Sequence, residues 1–301
     1  MKWPAWLKIP RRVGSRRRQA ARATSTFADS TLASAAWVQR RRAVRNWGIA
    51  GAVVGALVAV PAFAPAAWLS SWVASATGGR VLLADARGTL WAGSAVLVLT
   101  GGPDSRDASA LPGRLQWQVG LSAPALTVRL EHACCLNGTL MAQVHPGIGS
   151  VAVSVPAQPG GLGQWPAAWL NGLGTPFNTV QLAGTLRASS AGARIDWVQG
   201  RMRLEGSVEL ELAGMSSRMV PLETVGSYRV GVSGGAGSDG PVLMLSTLVG
   251  PLRLGGTGQW TGGRLRFAGE ATAEPGSEAA LDNLLNVIGR RAGARSIISI
   301  G

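Results

Sequence analysis

Cysteine, histidine, tyrosine and charge are all scarce in this 301-residue chain. Two cysteines cannot staple a chain of this length, so a disulfide-dense scaffold is excluded. Charged residues make up only 15%, against a usual value of about 25%. With 47% hydrophobic residues there is too much apolar surface for a disordered chain. The 42 glycines follow no period of three, which excludes a collagen-like rod. No Walker loop, no HExxH helix and no nucleophile elbow is expected, so the sequence predicts neither an active site nor a cofactor. The length leaves room for one large domain or two small ones, either with a sizeable core.

What the chain does have is a basic front. The formal net charge is +14, and residues 1–47 carry +11 of it, from 12 Lys or Arg against Asp29. Residues 48–301 hold 17 basic and 14 acidic residues and are close to balanced. Basicity confined to a tail ahead of an apolar segment points to membrane topology rather than to nucleic acid. Trp3, Trp6, Leu7 and Ile9 beside Lys2 and Lys8 could lie on an anionic surface, but residues 1–46 read best as a disordered tail.

No charge occurs from Asn46 to Gly79, and the most apolar part runs from Trp47 to Leu69. As one helix it would rise roughly 34 Å at about 1.5 Å per residue, enough for a hydrocarbon core of about 30 Å. Trp47 at one end and Trp68 with Trp72 at the other resemble interfacial aromatic belts. Pro61 and Pro65 would kink the helix or end it near Ala59. Arg40, Arg41, Arg42 and Arg45 abut its N-terminal side, so residues 1–46 are expected in the cytoplasm and the rest across the membrane. Ala62-Phe63-Ala64 has the small-x-small pattern of a signal cleavage site, but Pro65 disfavours cleavage, and an uncleaved signal-anchor is the expectation. Residues 70–80 would then be a linker to a domain over residues 81–301.

The body has a period of two. Leu115/Trp117/Val119/Leu121, Leu126/Val128/Leu130, Val151/Val153/Val155, Ile195/Trp197, Met202/Leu204, Val208/Leu210/Leu212, Tyr228/Val230/Val232, Leu252/Leu254 and Leu265/Phe267 alternate with polar residues. That pattern predicts antiparallel strands with one buried face. Gly101-Gly102, Gly160-Gly161, the stretch from Gly234 to Pro241 and Gly262-Gly263 read as hairpin loops. A G-T-L core recurs at Gly88, Gly138 and Gly184 with irregular spacing, which suits a meander rather than a solenoid. Residues 164–171 could form a short helical turn. Ser277 can cap a helix to about Arg291, with Leu281, Leu284, Leu285 and Ile288 as one stripe and Arg290 and Arg291 at its end. Ile297, Ile298 and Ile300 predict a last short strand. The fold class expected is mainly β: one transmembrane helix, then an antiparallel sheet domain with a short amphipathic helix.

His132, Cys134, Cys135 and His145 could be taken for a metal cluster, but adjacent cysteines are poorly spaced for zinc. No metal site is expected. Cys134 and Cys135 could close on each other as a vicinal disulfide or stay reduced and buried. The pairs Asp104/Asp107 and Glu209/Glu211 read as solvated surface, and Arg201 with Arg203 is too little for a nucleic-acid patch.

Five stretches together resemble type II secretion system protein N. They are the basic segment before one span; Val81-Leu82-Leu83 leading to Gly88-Thr89-Leu90-Trp91-Ala92-Gly93; Leu222 to Tyr228; Leu252 to Trp260; and Leu284 to Arg291. The resemblance covers roughly residues 43–301. It implies a bitopic inner-membrane protein with a periplasmic domain, an accessory part of the machine that exports folded proteins across the outer membrane. It implies no catalysis. Gly88, Trp91 and Gly93 carry over as structural turn positions only. The partners implied are other subunits of that system in the inner membrane and periplasm, together with membrane lipid, and neither nucleic acid nor a small-molecule substrate. A rival expectation is a tethered sheet whose apolar face is an open groove for acyl chains, because alternation alone does not distinguish a packed core from a groove.

Overall fold

The computed structural model describes residues 45–198, 201–235, 240–261 and 264–301. Residues 1–44, with Arg40, Arg41 and Arg42, and residues 199–200, 236–239 and 262–263 lie outside the described residues. The chain divides into two units, Met1–Ala62 and Phe63–Gly301.

In the first unit, helix α1 spans Arg45–Ala62, with a mean hydropathy of 1.2. Among the described residues it is the one helix long and apolar enough to cross a membrane. Its 18 residues rise roughly 27 Å, close to the thickness of a hydrocarbon core. The expected single helix over residues 47–69 is not what forms. Pro61 sits inside the last turn of α1, where it interrupts little, and the break falls at Phe63–Pro65. Proline disfavours the helical region for the residue before it, and Pro65 itself is extended, at φ −70° and ψ 149°.

A separate helix, α2 (Ala66–Ala76), therefore opens the second unit. Trp68 and Trp72 belong to it rather than to the end of α1 and are exposed, while Ala66 is buried. Leu69 and Val73 pack with Ala66 on Leu83, Ala95 and Trp117 of the sheet. The stretch expected as a linker is thus helix to Ala76, closed by a turn. The Thr77 hydroxyl donates to the Val73 carbonyl at 2.8 Å and accepts from the Val81 N–H at 3.1 Å.

The rest is a mainly antiparallel sheet of sixteen strands. In chain order they are β1 (Val81–Gly88), β2 (Ala92–Thr100), β3 (Ala108–Ala110), β4 (Leu115–Ser122), β5 (Ala125–His132), β6 (Leu140–Gly147), β7 (Ser150–Val155), β8 (Gly163–Pro166), β9 (Leu182–Val198), β10 (Arg201–Ser217), β11 (Gly226–Gly234), β12 (Val242–Val249), β13 (Leu252–Thr261), β14 (Arg264–Ala273), β15 (Arg290–Ala292) and β16 (Arg295–Ile300). The spatial order is β1-β2-β4-β5-β6-β7-β9-β10-β11-β12-β13-β14-β16-β15, with β3 beside β2 and β8 beside β9. Nearly every strand thus pairs with its sequence neighbour, as short Gly-rich turns dictate.

The strands β9 and β10 run 17 residues each, so the runs at Ile195 and Trp197, and at Met202 and Val208, are parts of long strands rather than separate ones. Gly184 lies inside β9, not in a turn: its φ is 129°, and a Cβ would come within 2.9 Å of the Ala213 carbonyl.

Between β8 and β9 lie a 3₁₀ helix (Ala167–Leu173) and a short helix, α3 (Phe177–Val180). Helix α4 covers Glu278–Ile288 and buries Leu281, Leu284 and Leu285. It stops at Gly289, and Arg290 and Arg291 belong to β15, because they pair with Ile297 and Ser296. The larger core gathers those three leucines with Leu186, Met215, Tyr228, Leu252 and Ala271, closed by Ala167 and Val180.

Candidate functional site

Three features of the second unit carry chemistry or recognition. The first is the turn Gly88-Thr89-Leu90-Trp91-Ala92-Gly93. The Thr89 N–H donates to the Ala92 carbonyl at 2.8 Å, and the Ala92 N–H donates back to the Thr89 hydroxyl at 3.1 Å. Gly88 has φ 89°, which favours glycine. At Gly93 a Cβ would stand 2.5 Å from the Trp117 ring and 2.6 Å from the Arg87 carbonyl, so only glycine lets that ring lie flat on β2. The Trp117 indole N–H is shared by the Thr89 and Leu90 carbonyls, both at 3.2 Å, and the Trp91 carbonyl accepts from Val119. The motif is therefore a clamp for a buried tryptophan.

Beside it lies a cleft of about 440 Å³, lined by Arg87, Arg114, Arg129 and Glu131 among others. Arg114 donates to the Asp85 carboxylate at 2.7 Å, and Arg87 reaches the same group at 2.8 Å. The Arg114 hydrogen bond first, then that of Arg87, holds the Asp85 carboxyl below the usual carboxylate range. Asp85 itself sits at φ 48°, where the β1–β2 register shifts.

The second feature is the pair Cys134 and Cys135, whose sulfurs are bonded to each other in the structure. The two sulfurs and a His132 ring nitrogen lie within 4.8 Å of one another. His132 is buried, and neither ring nitrogen has a hydrogen-bond partner among the described residues. Burial pushes its pKa down. His145 stands apart on β6, outside that group. Sequence spacing argued against zinc but could not show that the β5 turn delivers His132 to both sulfurs.

The third feature is an apolar row that no periodicity could locate. Directly paired residues share a face of an antiparallel sheet. Leu121 pairs with Leu126, Leu126 with Val144, Val144 with Val153, Val153 with Ile195, and Ile195 with Leu204. Five inter-strand steps of about 4.8 Å make this row roughly 24 Å long. Alongside it Val151 pairs with Trp197, and Trp197 with Met202. Leu121, Val151 and Trp197 are exposed at 78%, 43% and 51%, Leu126, Val144, Val153 and Ile195 are half-buried, and the row ends on Leu204, buried at 4%. The adjacent rows on the opposite face are polar: Thr127, Gln143, Ser154, Arg194 and Glu205 stand in line.

No catalytic constellation accompanies these features among the described residues. Gly231-Val232-Ser233-Gly234-Gly235 does fit the five-residue spacing of a nucleophile motif. Ser233, however, lies within β11, exposed and paired with Ser207 and Val242, and not on a strand-to-helix turn. Glu211 and Glu209 face Arg187 at 3.4 Å and Arg229 at 3.8 Å, cross-strand pairs of the kind that cover a solvated surface. Asp107 accepts from the Asn178 amide at 2.8 Å.

A helix long and apolar enough to span a bilayer, followed by a meandering antiparallel sheet with structural turns, defines the architecture of the described residues. The family model of type II secretion system (T2SS), protein N matches residues 79–298, and the chain belongs to that family. The match runs from the turn before β1 into β16 and covers the Gly88–Gly93 clamp, the cysteine pair and α4. No curated protein and no solved structure matches the chain. Membership places the protein in type II secretion, as a component of the secretion machinery and in company with its other components.

Proposed function

We propose that the protein is an accessory inner-membrane subunit of the type II secretion machinery. Helix α1 serves as a single uncleaved span, with the arginine-rich front in the cytoplasm and the sheet in the periplasm. The observation that carries this reading is the order along the chain: a helix of spanning length to Ala62, then a sheet unit from Phe63 that holds the whole family match. Trp47 on α1 and the exposed pair Trp68 and Trp72, one turn apart on α2, supply aromatic groups for the bilayer interface. Tethering raises the effective concentration of the sheet at the membrane surface.

Docking of the neighbouring inner-membrane and periplasmic subunits falls to the strand edges. Among the described residues β1 pairs with β2 alone and leaves an eight-residue edge, open to strand addition. At the opposite end, β15 is three residues long and presents Arg290 and Arg291, features that blunt an edge. Crosslinking from the β1 edge, followed by mass spectrometry, tests this. Recovery of secretion subunits supports it, and their absence after mild crosslinking of intact cells refutes it. Protease treatment of spheroplasts tests topology: the sheet unit should be digested and the front protected.

A second reading rests on the exposed apolar row. The part of the row left half-buried or exposed, from Leu121 to Ile195, crosses five strands and is roughly 19 Å long, a length that suits an extended acyl chain, so the face could hold lipid tails. Organic extracts of the purified chain should then contain stoichiometric phospholipid or lipopolysaccharide, and Val144→Asp should remove it. Extracts free of lipid would sink this reading and leave the first intact.

A further inference from the structure

We infer that His132, Cys134 and Cys135 form a redox-gated binding site for a soft d¹⁰ metal cation, copper(I) foremost. His132 is the last residue of β5, and the N–H groups of Cys135 and Leu136 both donate to its carbonyl at 3.2 Å. That turn folds the sulfurs back beside the imidazole. It is pinned from outside, because the Gln164 N–H at β8 donates to the Cys135 carbonyl at 2.9 Å. Gly113 packs on the ring, where a Cβ would stand 3.3 Å from Cε1.

His132 is only 5% exposed, and both its ring nitrogens are buried without a partner among the described residues. Buried polar atoms are normally satisfied, and an exception calls for an explanation. Here a ring nitrogen and two sulfurs lie within 4.8 Å of one another, a distance that a small cation between them would bridge. Cys135 is buried at 3% while Cys134 is exposed, so the site has one dry wall and one entry.

The donor set selects the metal. Two sulfurs and one imidazole favour a soft ion. Adjacent cysteines fit poorly into a closed tetrahedral zinc site, but three-coordinate copper(I) needs only these three donors. The sulfur ligand is the thiolate, so the bonded pair cannot bind. Opening it takes two electrons and two protons from a dithiol reductant, which leaves as its own disulfide. The S–S bond breaks and two thiols form. Each thiol then releases its proton to solvent as copper(I) binds, while neutral His132 donates a ring nitrogen. The disulfide is thus the closed state of the site.

The test uses the full chain in detergent, reduced anaerobically with a phosphine and then desalted. Copper(I) is offered as its bathocuproine disulfonate complex. One copper(I) per reduced chain should leave the chelator, and none should leave it for the air-oxidised chain. X-ray absorption should show two sulfur neighbours and one nitrogen neighbour. His132→Ala should weaken binding about tenfold or more, and Cys134→Ser should abolish it. Copper that stays with the chelator in the presence of the reduced wild-type chain overturns the proposal, as does unchanged affinity in a folded His132→Ala chain. The reduced-against-oxidised comparison needs no substitution, so it decides the matter even where a variant fails to fold.

Discussion

The two ends of the sheet carry the same alternation and meet different fates. From β9 to β14 the apolar face lies under α4, the 3₁₀ helix and α3, and Leu281, Ala271 and Ala167 are fully buried. From β4 to β7 an equally regular row, Leu121–Leu126–Val144–Val153, has no helix of comparable length over it among the described residues, and its members are half-buried or exposed. A period of two thus specifies which face is apolar but not what covers it. Cover depends on whether a helix elsewhere in the chain has a matching stripe. Leu281, Leu284 and Leu285 of α4 form such a stripe, while the stripe of α2 is spent on Leu83, Ala95 and Trp117.

The contrast can be broken most severely at α4. Leu281→Ala should cost about 2–5 kcal/mol, read as a lower denaturation midpoint of the second unit, and Leu281→Asp should prevent folding. A smaller loss is expected at the Trp117 clamp. There Gly93→Ala drives a Cβ into the indole and the Arg87 carbonyl and should cost about 1–3 kcal/mol, with a shift in tryptophan emission.

Tyr228 sharpens the comparison on the covered side. Its hydroxyl lies 3.1 Å from both the Val225 and Leu252 carbonyls inside the core. Tyr228→Phe should cost about 1–2 kcal/mol. Burial also raises its pKa well above the ordinary value near 10. The folded state keeps a proton that the unfolded chain releases. The stabilisation from Tyr228 is therefore complete below about pH 10 and is lost as pH rises further. Equilibrium unfolding at pH 9–12 should show a steeper decline for the wild type than for Tyr228→Phe. On the bare side Leu121→Asn should change stability by no more than about 0.5 kcal/mol. A loss as large as that at Leu281 would mean that the row is covered after all.

Much of the fold was legible from local pattern. The strands announced themselves through alternation, and Leu281, Leu284, Leu285 and Ile288 through helical spacing. The boundaries were less legible, for identifiable reasons. Hydropathy runs without interruption through Trp47–Leu69, so only the backbone restriction before Pro65 separates α1 from α2. Arg290 and Arg291 suit a helix C-terminus electrostatically, yet cross-strand pairing with Ser296 and Ile297 claims them. The length of β10 escaped notice because a register shift between Gly206 and Val208 makes one long strand look like two. The Gly-Thr-Leu-Trp motif was visible as a turn, but its purpose was not, since Trp117 approaches Gly93 from a strand 24 residues away.

The sequence by itself determined where charge and apolar length fall, which residues alternate and which helix bears a stripe, because these depend only on neighbours along the chain. Tertiary structure alone decided that Trp68 and Trp72 ride on a sheet-packed helix, that His132 meets both sulfurs, and that five strands line up a row left half-buried or exposed from Leu121 to Ile195. Those outcomes follow from register and turn geometry, and a hydrogen-bonded ladder fixes them only once distant segments lie side by side.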